Sequence, residues 1–337
     1  MLINQVIDKE RWWISGGVLH TSIKMKNFRR IIIITMIISI LLVGCGGDKV
    51  DTTKNNNGKI NVVATTTIIG DAVKAIGGEK INLDVLMGPG IDPHLYKASA
   101  GDVNKMQNAD IIFYNGLHLE GKMGDIFEQL EKLNKNSYAV ADVIPKSRLV
   151  ESEDFAGSYD PHIWFDVELW IDVVEGIKER FIEIDPENSD YYNRNGEDYL
   201  KESKELHEYV KSRAEELPEE KRVLITAHDA FNYFGRAYGF EVKGLQGLST
   251  ATEAGTSDVK DLADFIASRK IPAIFIESSV PPKNMEALKN AVKSRGFNVE
   301  IGGELFSDSL GDPGTEEGTY VGTVKHNIDT IVDALLR

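Results

Sequence analysis

Asp92-Pro93-His94-Leu95-Tyr96 and Asp160-Pro161-His162-Ile163-Trp164 each put an imidazole directly after a proline. Proline fixes its own φ and drives the residue before it into extended backbone, so each phrase is a stiff turn whose histidine has few directions in which to point. One copy is ordinary turn chemistry, because Asp and Pro both start turns. Two copies, each ending in an aromatic, favour a metal site. A third histidine, His228, ends the run Val223-Leu224-Ile225-Thr226-Ala227-His228. It stands at the carboxyl end of a predicted strand, the edge at which open α/β sheets bind ligands. Taken alone it could equally cap a helix starting near Asp229. Glu304-Leu305-Phe306-Ser307-Asp308-Ser309 offers two carboxylates, and spacing alone does not choose between them.

The elements that must position these groups follow from the pattern after Lys59. Short β-branched runs alternate with amphipathic stretches, which predicts an α/β fold with mainly parallel sheets. The first series of strands is Ile60 to Ala64, Leu83 to Met87, Ile111 to Tyr114 and Tyr138 to Val140. The second is Val223 to Thr226, Phe240 to Val242, Ala273 to Ile276 and Asn298 to Ile301. Between them Asp185-Pro186-Glu187 is a helix start and Leu217-Pro218 a stop. Leu206, Tyr209, Val210, Ala214 and Leu217 recur at helical spacing. Residues 186–217 therefore form one candidate linking helix, a rod of roughly 45 Å weakened in its middle by Asn195-Gly196. Two α/β lobes, 59–185 and 218–337, are the natural division, with a cleft between them to gather the histidines. A rigid rod between lobes implies that any closure on a ligand is small.

The single cysteine, Cys45, follows Lys24, Lys26, Arg29, Arg30 and an apolar run from Ile31 to Val43. Basic-then-apolar order marks a secretory signal, and the run is too short for a membrane-spanning helix. Leu42-Val43-Gly44-Cys45 resembles a bacterial lipobox, which implies lipidation at Cys45 and anchoring on the extracytoplasmic face of the cell membrane. Residues 1–44 are then an upstream extension plus signal peptide, since Met25 alone begins a leader of normal length. Residues 45–58, polar and Asn-rich, read as a flexible tether. Loss of residues 1–44 removes six basic and two acidic side chains and takes the net charge from −15 to −19. So acidic a surface disfavours nucleic acid. With one cysteine no disulfide framework exists, and the core must hold the fold.

Together with the two Asp-Pro-His phrases, three stretches carry a resemblance: Gly244-Leu245-Gln246-Gly247-Leu248-Ser249-Thr250, Phe275-Ile276-Glu277-Ser278-Ser279 and Gly302-Gly303-Glu304-Leu305-Phe306-Ser307-Asp308. The chain resembles the TroA-type metal-binding proteins of manganese and zinc ABC importers over nearly all of 59–337. That resemblance implies His94, His162, His228 and Asp308 as metal ligands, with Glu304 at a non-ligand position. It also implies two α/β lobes joined by a long helix, a metal site in the interlobe cleft, and partnership with an ABC permease and its ATPase. The protein is expected to be a monomer.

Three imidazoles and a carboxylate suit zinc and manganese alike, and lack the thiolates that would select copper(I) or an iron–sulfur cluster. Zinc-dedicated relatives often carry a His-rich loop between the first two ligand histidines. Here only His118 lies there, which leans towards manganese, whereas His228 stands where some manganese-dedicated relatives carry glutamate. Glu277 either orients a ligand histidine or satisfies nearby backbone N–H groups. Asp92 and Asp160 read as turn formers, and Trp164 and Tyr96 as residues packed beside the site. His118 and His207 read as structural or exposed, and His326 has no evident partner. Two rivals remain. A receptor for a metal chelate or haem would bind through arginines or aromatics, and a zinc-dependent hydrolase would need an open coordination position and a base. The chain lacks His-Glu-x-x-His. Adhesion, attributed to some relatives, cannot be carried over from these residues.

Overall fold

The computed structural model describes residues 58–152 and 157–337. The signal segment, Cys45 and the tether up to residue 57 lie outside the described residues. In chain order the elements are β1 (Ile60–Ala64), α1 (Thr67–Gly77), β2 (Ile81–Val85), α2 (Ala100–Asn108), β3 (Ile111–Tyr114), α3 (Gly124–Lys132), β4 (Ser137–Ala139), α4 (Val167–Ile184) and α5 (Ser189–Glu215). There follow β5 (Val223–His228), α6 (Asn232–Tyr238), β6 (Glu241–Gln246), α7 (Thr256–Arg269), β7 (Ala273–Glu277), α8 (Lys283–Lys293), β8 (Glu300–Leu305) and α9 (Tyr320–Leu335).

Every ladder between these strands is parallel, in the orders β2-β1-β3-β4, β5-β6 and β7-β8, with β5 lying against β7. Strand alternation sorts the side chains onto two faces. In β1, Ile60, Val62 and Ala64 enter one apolar cluster, while Val63 enters another with Ile112, Met106 and Leu130. In β5, Leu224 joins the first cluster, while Val223, Ile225 and Ala227 face Leu262, Ile266 and Leu288 of α7 and α8. The first cluster is continuous from β1 and β3 through α4, α5 and α9 to β5 and β7. Its fully buried Trp170, Phe181 and Phe275 each contribute about 1.5–3 kcal/mol of transfer free energy.

The linking helix forms with a 3-10 turn, Pro186–Asn188, ahead of an α-helix of 27 residues, about 40 Å long. Its expected weak middle is instead a packing device. Asn195 donates to the Ile76 carbonyl at 3.0 Å, and a Cβ at Gly196 would meet Lys178 at 2.6 Å, so glycine lets α5 approach α4. The strands of the second series differ most from expectation. β8 begins two residues later than predicted and runs on through Gly302-Gly303. Those glycines do not end the strand, because a Cβ at Gly302 would meet Ala334 at 2.8 Å and one at Gly303 would meet Thr330 at 2.4 Å: they let α9 lie close.

Gly244 in β6 has a similar duty nearer the site, since a Cβ there would lie 2.4 Å from the Asp229 backbone nitrogen and 2.6 Å from the His228 carbonyl carbon. Gly244→Ala is expected to cost about 1–3 kcal/mol, as overpacking does. It should also displace the backbone after His228. Thermal unfolding together with metal titration checks both effects.

Candidate metal centre

Four chain segments meet at one point beyond the carboxyl ends of the strands: the loop after β2 carries His94, the loop before α4 His162, the end of β5 His228, and the loop after β8 Asp308. One ligand atom from each lies within 4.8 Å of all the others, and all four residues are buried. The Nε2 atoms of His94 and His162 are 3.2 Å apart and those of His228 and His162 3.4 Å. Asp308 presents Oδ1 to His162 Nε2 at 3.6 Å, and Oδ2 to His228 Nε2 at 3.4 Å and to His94 Nε2 at 3.9 Å. A tetrahedron of donors around a zinc-sized ion, at metal–ligand distances of about 2.1 Å, has edges of about 3.4 Å. The gap between these side chains is thus the size of one ion. Glu304, the other carboxylate of that stretch, is exposed on β8.

The two Asp-Pro-His turns fold alike and then diverge. Asp92 Oδ1 accepts from the His94 backbone N–H at 2.8 Å, and Asp160 Oδ1 from that of His162 at 2.9 Å. These are the turns expected of the sequence. Asp160 does more, since its Oδ1 also lies 2.7 Å from His162 Nδ1. Asp92 Oδ2 instead accepts from the Thr250 hydroxyl at 2.5 Å, fastening the His94 loop to the loop after β6. Glu277 meets His228 twice: Oε1 accepts from the His228 backbone N–H at 2.9 Å and Oε2 lies 2.5 Å from His228 Nδ1. A carboxylate on Nδ1 holds the proton there and leaves the Nε2 lone pair free, the tautomer a metal requires. His162 and His228 are both set in that way.

Lone pairs aimed at one another in a buried space need a cation or a proton among them. Burial pushes the His228 imidazolium towards neutrality, but the flanking Glu277 and Asp308 carboxylates outweigh it and hold its pKa well above the ordinary value. Burial likewise drives His94, which is pushed down to about 3 against the pull of Asp308. Desolvation alone would raise the Asp308 carboxyl, yet the surrounding imidazoles hold it below the usual carboxylate range. Its Oδ1 is buried and accepts no hydrogen bond.

Trp164 packs edge-on against His162 with ring centroids 5.4 Å apart and donates Nε1–H to the Ser307 carbonyl at 3.0 Å, tying the His162 loop to the Asp308 loop. Tyr96 corrects the expectation made for it. Its hydroxyl donates to Asp102 at 2.8 Å and its ring joins the cluster of Met87 and Met106, because the capping box of Ser99 and Asp102 that opens α2 supplies the phenol with a partner. His207 Nδ1 sits 3.2 Å from the Tyr238 hydroxyl. His326 does have a partner, donating from Nε2 to the Glu304 carbonyl at 3.0 Å. Sequence reading missed Asp160 as the group that orients His162. The signal was available, since an Asp two residues before a ligand histidine can reach its ring as well as its backbone. Thr250 and Asn232, which donates to Asp160 at 3.2 Å, had no such signal because the fold brings them from afar.

Parallel α/β layers and a long helix bring three imidazoles and one carboxylate around a gap that could hold a metal ion. Residues 62–334 match the family model ZnuA, zinc-uptake complex component A, periplasmic, and the chain belongs to that family. The zinc-binding protein TroA of Treponema pallidum (strain Nichols) is 54% identical over 281 residues, covering 83% of this chain and 90% of its own. The manganese-binding lipoprotein MntA of Bacillus subtilis (strain 168) is 45% identical over 294 residues, covering 87% of this chain and 95% of its own. The solved structure of the periplasmic zinc-binding protein TroA from Treponema pallidum superposes with a TM-score of 0.81 at 55% identity, over 83% of this chain and 100% of that one. The relatives carry both the zinc and the manganese reading.

Replacing Glu277 by Gln keeps an acceptor for the His228 backbone but sets an N–H₂ against Nδ1–H. Glu277→Gln is expected to weaken metal binding by about 10–100-fold, the usual cost of removing the group behind a ligand histidine. Calorimetric titration against the parent chain measures it.

Proposed function

We propose that this protein captures one divalent transition metal ion, manganese or zinc, through His94, His162, His228 and Asp308, and gives it up to an ABC permease driven by its ATPase. The observation that carries this reading is the ion-sized gap between three Nε2 atoms and a carboxylate, two of the imidazoles being oriented by Asp160 and Glu277. Names of relatives support the partner, among them the manganese ABC transporter substrate-binding lipoprotein PsaA of Streptococcus pneumoniae. The ion is cargo, so the protein performs no bond-breaking step and is not an enzyme. A zinc hydrolase would keep a coordination position open for water; here the fourth protein donor closes it.

The chain acts as a monomer of two lobes, 59–185 and 218–337, joined by 186–217. It hangs from the membrane by a lipid on Cys45 after removal of residues 1–44, with 45–58 as tether. Both oxygens of Asp308 face imidazoles, which allows a bidentate carboxylate and the higher coordination that manganese prefers. Manganese is the favoured cargo. The first test is competition of manganese with zinc on the stripped protein. Manganese held with one ion per chain supports the reading, zinc bound with manganese unable to enter makes it a zinc receptor, and no uptake of either removes it.

A further inference from the structure

Of the four residues around the gap, His162, His228 and Asp308 are at most 1% exposed and His94 is 4% exposed. His94 also lines a pocket of about 320 Å³ whose walls include Leu117, His118, Tyr159 and Leu248. Among the described residues, His118 is the one imidazole besides His94 in that wall, and none of them brings a carboxylate or thiol to it. His118 is itself exposed.

The backbone that puts His118 there is costly. Gly116, Leu117 and His118 have φ of 82°, 50° and 66°. Left-handed backbone suits the glycine but strains a Leu or a His, whose Cβ crowds the following carbonyl oxygen. The buried Glu120 carboxylate holds the turn in place: Oε1 accepts from the Asn115 backbone N–H and the Thr65 hydroxyl, both at 2.7 Å, and Oε2 from the Gly116 N–H at 3.3 Å. Asn115 Nδ2 then donates to the Pro161 carbonyl at 3.0 Å, so the turn is fixed to the loop that carries His162. Strain of this kind persists only where the surroundings over-determine it, and it gathers at functional positions.

We propose that His118 is a relay ligand. A divalent ion arriving from solvent exchanges one of its waters for the His118 imidazole in the pocket. It passes to His94 as one imidazole replaces the other, and then enters the gap; on release the order reverses. This inference rests on the reading that the gap holds the ion. A relay lowers the barrier between two end states without altering either, so it speeds loading and release by a common factor.

Stopped-flow loading with manganese and with zinc, and release to an excess chelator, test this on His118→Asn. Asparagine tolerates the left-handed backbone and lacks the imidazole. Both rates are expected to fall by one common factor, about tenfold for a barrier raised by a single lost donor, with the equilibrium affinity unchanged. Unchanged rates overturn the proposal, and so does a weaker affinity arising from faster release alone. Leu117→Gly relaxes the turn and keeps the imidazole. If it slows exchange as much as His118→Asn, the shape of the turn and not the ring is responsible, and the relay is wrong. A parent chain that takes up no metal would instead remove the functional reading itself.

Discussion

Asp308→Ala protein keeps its fold and binds manganese and zinc more than about 100-fold more weakly than the parent, beyond the upper end of what loss of a group behind a ligand costs. Asp308 is the sole anion among the four groups, and its oxygens face all three Nε2 atoms at 3.4–3.9 Å. Removing it leaves three imidazoles and no anionic donor to meet the ion directly, the Asp160 and Glu277 carboxylates lying behind the rings. The fold survives because Glu277 still faces the buried His228 ring when Asp308 is removed, and among the described residues the one hydroxyl partner lost is Ser279, at 3.5 Å. Calorimetric titration gives the affinity, and near-ultraviolet circular dichroism establishes that the packing is unchanged. An affinity equal to that of the parent would exclude Asp308 as a ligand.

The second large effect is on stability. An ion that binds only the folded chain stabilises it by about 4 kcal/mol at a free concentration of 1,000 times the dissociation constant. For a folded part of this size that is a rise of roughly 7 °C in Tm. Differential scanning calorimetry with and without manganese measures the rise, which Asp308→Ala should lack.

The same linkage has a definite pH sign. His228, with its pKa raised by Glu277 and Asp308, carries a proton in the metal-free protein at neutral pH, and the ion must displace it. His94, held down to about 3, has none to lose. Affinity therefore falls as pH drops below the raised His228 pKa, and binding at neutral pH releases a proton from His228. Titration in buffers of different ionisation enthalpy counts it. Zero proton release would contradict the charge state assigned to His228.

The sheet and helix order was legible because β-branched runs and helical stripes respond to burial, and both repeat locally. β1 and β3 fall at Ile60–Ala64 and Ile111–Tyr114 as the pattern predicts. β2 lies two residues earlier than the expected Leu83 to Met87, and other boundaries failed where glycine serves close packing. Gly302 and Gly303 read as a strand end but sit inside β8, and Gly196 reads as a weak point but seats α5 on α4. The histidines were visible from the repeated Asp-Pro-His and from the end of β5. Asp308 was not distinguishable from Glu304 by spacing, since which carboxylate points inward depends on where β8 stops. The resemblance chose it. Tyr96 was misplaced because its hydroxyl is claimed by Asp102, six residues along the chain, a contact set by the capping of α2.

The central claim, one divalent ion held by His94, His162, His228 and Asp308, is tested most directly by anomalous diffraction. Crystals of the protein loaded with manganese, and separately with zinc, are measured on either side of each absorption edge. The account predicts a single strong peak within about 2.0–2.3 Å of the three Nε2 atoms and of at least one Asp308 oxygen. A peak at other side chains, or none in protein loaded at saturating metal, would contradict it.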